Sequence, residues 1–245
     1  MTIAYHGLPL TPNDVLMSLR GRHFCVSFFR PDQVVMAHQI GQSVLLDNGA
    51  FSAWRKGLIL DRDYWSRYHD FCREWLVCPT TWAIIPDVID GGSQEQDALI
   101  REWPAELRHR AAPVFHMSEP TDRLLRLIDE WPRVCIGSTD EYAVVRSEAW
   151  TARMDELWDA VSQKRRFTPW LHMLRGMQLL KPDCPWPFAS VDSTDLARNH
   201  NRLKKHGEQY RWAVIQKADR WDAAQCPPRW TPRASQPDLY EEQAA

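Results

Sequence analysis

The amino-acid sequence predicts an α/β protein, a (β/α)8 TIM barrel with a short basic helical tail at its C-terminus. Three observations carry this expectation. Short apolar runs of strand length recur along the chain, and stretches with helical spacing of apolar residues separate them, the pattern of parallel βαβ units. Eight such runs can be found, and eight parallel strands close a barrel. The chain has 245 residues, a length that one barrel domain fills. A doubly wound open sheet satisfies the same alternation and stands as the competing architecture.

The elements follow in order. Thr2–His6 is the first strand. Thr11 and Pro12 open a helix, Thr as N-cap and Pro at the first helical position. His23–Phe29 and Ser43–Asp47 are the second and third strands. Asp61–Leu76 spaces Tyr64, Trp65, Tyr68, Cys72 and Trp75 along one helical face. Trp82–Asp87 is the fourth strand, and Ser93-Gln-Glu-Gln96 reads as a capping box opening the next helix. Pro113–Met117 is the fifth strand, followed by a helix carrying Leu124, Leu125, Leu127, Ile128 and Trp131. Arg133–Gly137 is the sixth, and a helical stretch runs from about Tyr142 to Val161. Trp170–Leu174 and Pro187–Asp192 complete the set, with a polar, basic helical segment after them. Residues 1–230 are read as one catalytic domain and 231–245 as an extended or disordered tail.

Composition narrows the class. With 44% hydrophobic and 25% charged residues the chain reads as an ordinary globular protein, and no apolar run approaches the roughly 18 residues of a membrane span. The start, MTIAYHGLPL, lacks the basic and apolar regions of a signal peptide. Six scattered cysteines without a Cys-x-x-Cys pair suggest reduced thiols in a cytoplasmic protein and no metal site. The net charge of −2 is unlike the strongly basic balance common in nucleic-acid binders, yet basic residues dominate from Arg198 to Arg233. That stretch is either a solvated helix face or a local phosphate-binding patch.

The strands end on polar residues. Strand three ends in Asp47-Asn48-Gly49 and strand four in Asp87. Strand five ends in His116-Met117-Ser118 and strand six in Gly137-Ser138-Thr139-Asp140. Strand seven carries His172 and ends in Arg175-Gly176, and strand eight ends in Asp192-Ser193-Thr194-Asp195. In a parallel barrel these ends share one face, so the acids, histidines and glycines line one pocket. Each has a plainer reading. Asn-Gly after Asp47 is a hairpin signal, Asp87 and Asp192 suit turns or helix caps, and a lone histidine is more often structural. Their joint occurrence at successive strand ends favours a site. No nucleophile elbow, phosphate loop, or His-x-His or His-Glu-x-x-His metal pair is present. Carboxylates without a metal suit glycosyl chemistry, one attacking an anomeric carbon and another handling the proton of the leaving group.

In order and spacing these motifs, over roughly residues 43 to 200, resemble the tRNA-guanine transglycosylase superfamily of TIM barrels, which swap guanine in a nucleic acid for a 7-deazaguanine. Asp47-Asn48-Gly49-Ala50-Phe51 is similar to the family's first acidic loop, with Asn in place of Ser. Asp87 in IIPDVIDGG is similar to the base-reading acid, and His116 in VFHMS stands where the family has an amide. Gly137 in CIGS is similar to a shortened glycine motif, and Asp192 in ASVDSTDLARN to the nucleophile, with Arg198-Asn199 beyond it. The family's Cys-x-Cys-x-x-Cys zinc motif is missing, and the shorter, zinc-less pattern is closest to phage-type DNA deoxyguanine transglycosylases.

The resemblance implies roles. Asp192 attacks C1′ and Asp47 handles the proton. Asp87 reads the N1–H and 2-amino group of the base, and the Gly137 backbone with His116 contacts O6 or the 7-substituent. Asn48, Gly49, Phe51, Ser138, His172 and Arg175 complete the substrate site, with Phe51 or Trp54 sandwiching the base, Gly49 giving it clearance and His172 with Arg175 beside the sugar or phosphate. Arg198, Asn199, Lys204 and Lys205 hold the nucleic-acid backbone. DNA is the expected partner, with tRNA the alternative, a free 7-deazaguanine the co-substrate, and no cofactor. A glycosidase using water on the same acids, and a non-catalytic nucleic-acid-binding subunit, are the other readings.

Overall fold

A computed structural model describes residues 1–232 of the chain. The expected tail beginning at Thr231 therefore lies almost wholly outside the described residues, as does Arg233. The strands are β1 (Ile3–Gly7), β2 (His23–Ser27), β3 (Ser43–Asp47), β4 (Thr81–Ile84), β5 (Ala111–Ala112), β6 (Val114–His116), β7 (Val134–Gly137), β8 (Leu171–Met173) and β9 (Ser190–Ser193). The α-helices are α1 (Asn13–Met17), α2 (Val34–Ile40), α3 (Ala50–Trp54), α4 (Arg62–Trp75), α5 (Ser93–Glu102), α6 (Thr121–Glu130), α7 (Glu148–Lys164), α8 (Asp195–Asn199) and α9 (Tyr210–Ala223).

The strands form one sheet in the order β5, β4, β3, β2, β1, β9, β8, β7, β6, with every pairing parallel. The order never doubles back at a switch point, which removes the open doubly wound sheet. Its two end strands, β5 and β6, are consecutive in the chain and separated by Pro113 alone. The sheet is thus nearly closed into a TIM-like barrel. The expected fifth strand, Pro113–Met117, corresponds to β6; the short β5 ahead of it was not expected, and Pro113, which has no N–H for the ladder, separates the two. Ala111 and Ala112 pair with β4, whereas Val114–His116 pair with β7.

Other boundaries move for local reasons. Pro12 is the N-cap of α1 rather than its first residue, and Thr11 makes no cap. Only half of the expected capping box forms, one residue early: Gly92, which has no side chain, is the N-cap, and Glu95 accepts its N–H at 2.5 Å. α7 begins at Glu148, not near Tyr142, because Ser147 caps it by accepting the Trp150 N–H. β8 and β9 are joined by a loop with one 3-10 turn, Met177–Leu179, instead of a helix. Cys184 and Cys226, distant in sequence, face each other with sulfurs 3.7 Å apart.

The core has two parts. Outward strand residues such as Phe24, Val26, Leu46 and Val191 pack beneath the helices. Inward residues Tyr5, Cys25, Leu45, Trp82, Ile84, Ala112, Val114 and Cys135 fill the barrel. A large apolar side chain removed from water in this way contributes about 1.5–3 kcal/mol. The one phenol among them is paired: the Tyr5 hydroxyl accepts from Trp82 Nε1 at 2.9 Å and from the Ser43 hydroxyl at 3.0 Å. The segment after β9 is helical as expected, but α9 packs on the barrel. It buries Val214 and Ala218, and Asp222 pairs with His6 at 2.9 Å and with Arg22.

Candidate active site

Parallel strands deliver all their carboxyl ends to one mouth, and a cavity of about 390 Å³ opens there. Gly7, Ser27, Asp47, His116, Gly137 and Asp192 line it from strand ends, with Asp87 and Arg175 from the loops just beyond. A comparable concavity of about 430 Å³ near Arg165 and Phe167 contains no acid and no histidine.

The three acids converge. Burial pushes the Asp47 carboxyl up to about 7; nearby Asp192 and Asp87 push the same way, while the Ser27 hydroxyl and the Gly49 N–H oppose them. Asp47 therefore holds or releases a proton near neutrality. Asp192, with a side chain 13% exposed, accepts the Arg175 N–H on Oδ1 at 2.6 Å. Beneath it lies His172, whose Nε2 is 3.4 Å from the same oxygen and whose Nδ1 meets the Ser190 hydroxyl at 2.7 Å. One Asp192 oxygen is thus held in place by the protein.

Asp87 is held by two neighbours. Asn48 Nδ2 donates to its Oδ1 at 2.8 Å, and His116 Nε2 stands 3.1 Å from its Oδ2. That second contact is close enough for an ion pair but lacks hydrogen-bond alignment, and neither ring nitrogen of the buried His116 is satisfied. Leaving such a group unpaired costs about 1–3 kcal/mol, which a ligand in the cavity can recover. Gly137 makes room beside this ring, since a Cβ there would lie 3.0 Å from His116 Nδ1. The end of β6 is braced from outside: Glu119 accepts the His116 N–H at 2.8 Å and pairs with buried Arg123 at 2.7 Å.

Arg175 crosses the cavity. Its φ of +55° is left-handed, a strain of about 1–2 kcal/mol for a residue with a side chain. The guanidinium donates to the Ser138 carbonyl at 2.7 Å and lies 4.0 Å over the Phe51 ring. Phe51 also stacks on Trp54, with ring centres 5.6 Å apart. One face of Phe51 is therefore covered by the Arg175 guanidinium.

Asn48, Ser138 and Arg198 line the cavity as expected, but several expected residues make other contacts or lie outside it. Gly49 does not face the cavity. It is the left-handed N-cap of α3, with φ +82°, and a Cβ there would lie 2.7 Å from Tyr64 Oη and 2.9 Å from Phe29 Cβ. Its role is close packing, not clearance for a ligand. Asn48 is committed to the protein: besides Asp87 it donates to the Ile85 carbonyl at 2.8 Å and accepts the Ala50 N–H at 2.8 Å. The Ser138 hydroxyl points to Trp150 Nε1 at 2.8 Å. His172 is fully buried beneath Asp192 and does not line the cavity, and its Nε2 has no hydrogen-bond partner among the described residues. Arg198 lines the cavity, but Asn199 donates to Asp195 on its own helix at 2.8 Å. Lys204 and Lys205 are exposed on the 3-10 segment His200–Gln209 and do not line the cavity.

Among the residues missed are Gly7, Ser27, Phe29, Arg30 and Arg55. Gly7 and Ser27 end strands, and reading β2 on to Phe29 hid the second. Nothing in the sequence marks the two arginines. No protein-family model, curated protein or solved structure matches the chain. The chemistry must accordingly be argued from the cavity: a proton-holding acid, a second acid with one oxygen anchored, and a third acid in a partly satisfied polar wall.

Proposed function

We propose that the protein exchanges guanine in DNA for a 7-deazaguanine base through a covalent Asp192–deoxyribosyl intermediate. The observation that carries this reading is the division of labour among acids in one cavity. Asp47 titrates at about 7 while Asp192 beside it is positioned by the Arg175 N–H. A displacement at an anomeric carbon asks for this pair, a proton donor and a nucleophile.

The steps balance. An Asp192 oxygen attacks C1′, the C1′–N9 bond breaks, and its electron pair leaves with guanine, which takes the Asp47 proton. The incoming base then attacks C1′, the ester to Asp192 breaks, and Asp47 recovers a proton from the base. Two inversions give net retention. The target nucleotide is extruded from its stack to reach the cavity. Asp87 accepts from N1–H and the 2-amino group, and its tether to Asn48 fixes its orientation. Phe51 stacks on the base once Arg175 yields. Arg198 meets backbone phosphate, with Lys204 and Lys205 further out. Counting β5 and β6 as one strand interrupted at Pro113 gives eight strands, and we read the barrel as a (β/α)8 in which a 3-10 turn replaces the helix between β8 and β9. We assign the protein to the cytoplasm, a host's if phage-encoded, as for the DNA enzymes that its motifs resemble.

The test offers radiolabelled guanine together with DNA or tRNA. Label entering DNA supports the proposal, and label entering tRNA moves the substrate. Release of free base without incorporation makes the protein a glycosidase, and no reaction with either polymer refutes the exchange.

A further inference from the structure

We infer that the lip formed by residues 54–59 is an apolar wedge that enters a DNA duplex and occupies the gap left by an extruded base. The inference rests on the reading of the cavity as a pocket for such a base. Scattered exposed apolar residues are ordinary, but here they cluster. Trp54 is 45%, Leu58 51% and Ile59 93% exposed, all within six residues. Val88, 37% exposed, joins them from the loop after β4, where Asp90 accepts the Trp54 indole N–H at 2.5 Å.

Position is the second argument. Arg55 of this segment lines the cavity together with Phe51 and Ser52 just before it, and so do Asp87 and Ile89 on either side of Val88. The apolar tip therefore stands beside the opening through which a base would enter. The tip is also built to project. Gly57 turns the chain at φ +66°, and the Leu58 N–H returns to the Ala53 carbonyl at 3.0 Å.

Charge identifies the occupant. Arg55 and Lys56 sit in the segment itself, and Arg198 stands on the cavity wall. Among the described residues none of these three has a carboxylate partner; Lys56 lies 4.5 Å over the Phe29 ring instead. An apolar tip flanked by unpaired cations suits a stacked polyanion, in which apolar side chains part the bases while cations hold phosphates. Opening the stack is unfavourable, and a side chain that fills the gap offsets part of that.

The experiment uses a duplex oligonucleotide with 2-aminopurine next to the target guanine. Its fluorescence should rise on binding the wild-type protein. Leu58→Ser/Ile59→Ser should reduce that rise and guanine exchange on the duplex by about tenfold or more, in keeping with loss of a base-step wedge. Exchange on the same sequence as a single strand, which needs no opening, should stay at the wild-type level. Leu58→Met/Ile59→Met should restore the duplex signal. Equal duplex opening by the serine variant, or equal loss on both substrates, overturns the wedge. So does wild-type binding to the duplex without a fluorescence change, even if exchange proceeds, and that result leaves the base-exchange reading intact. Wedge-dependent opening with no exchange on either substrate supports the wedge and sinks the exchange.

Discussion

Asp47→Asn separates function from stability. Asp47 titrates at about 7 in the fold against an ordinary 3.8, because burial disfavours its charge. The folded state therefore binds a proton that the unfolded chain has released, and ionising this carboxylate opposes folding. The sign follows: wild-type stability from this group is full below about pH 4 and is lost as pH rises towards and through 7. With 1.36 kcal/mol per pKa unit, the penalty is about 2 kcal/mol at pH 5 and about 4 kcal/mol at pH 8. Water in the cavity screens the charge, so these values are ceilings. Asparagine keeps the shape without the charge. Urea unfolding at pH 5 and pH 8 should show Asp47→Asn more stable than wild type at both, with the gain about 2 kcal/mol larger at pH 8. Guanine exchange should meanwhile fall by about 10²–10⁴-fold, as for loss of a general acid–base. A gain independent of pH, or a variant less stable at pH 8, would refute the assignment of a buried, proton-holding Asp47.

The remaining predictions concern the supports of the site. Gly49→Ala forces a side chain into left-handed backbone against Tyr64 and Phe29 and should cost about 1–3 kcal/mol in thermal unfolding; an unchanged midpoint would show that this turn has room. Arg123→Met leaves Glu119 buried without its partner, so about 3–5 kcal/mol should be lost in denaturant unfolding, whereas a loss under 1 kcal/mol would mean that the pair is dispensable. His172→Asn removes the ring beneath Asp192 but leaves the cavity wall intact. Exchange kinetics should show a lower kcat with KM for DNA unchanged, and a rise in KM alone would place His172 in substrate binding.

The third strand was legible because its apolar core, Val44–Leu46, lies between two polar ends, and Asp47 sits where the sequence placed it. The same rule located Asp87, His116, Gly137 and Asp192 around one cavity. Depth was not legible. His172 shares the inward side of β8 with Trp170 and Leu174, but it pairs in register with Ser190, two residues before Asp192. That offset puts it one layer beneath Asp192, and inter-strand register has no local sequence signal. Gly49 was misread because a glycine signals backbone freedom without saying whether a ligand or a tyrosine uses it. The basic run was overcounted: Arg211 pairs with Asp14 and Lys217 with Asp195 at 2.5 Å, leaving fewer cations for a phosphate backbone. Those acids lie far off in sequence or on another helix, and only the packing of α9 brings them close.

The covalent intermediate is the most direct test. Wild-type protein and Asp192→Asn are each incubated with guanine-containing DNA, denatured, digested and examined by mass spectrometry. A deoxyribosyl adduct on the Asp192 peptide, seen in wild type and absent from the variant, is the expected result. Guanine exchange by the variant at the wild-type rate, or an adduct on a different residue, would contradict Asp192 as the nucleophile.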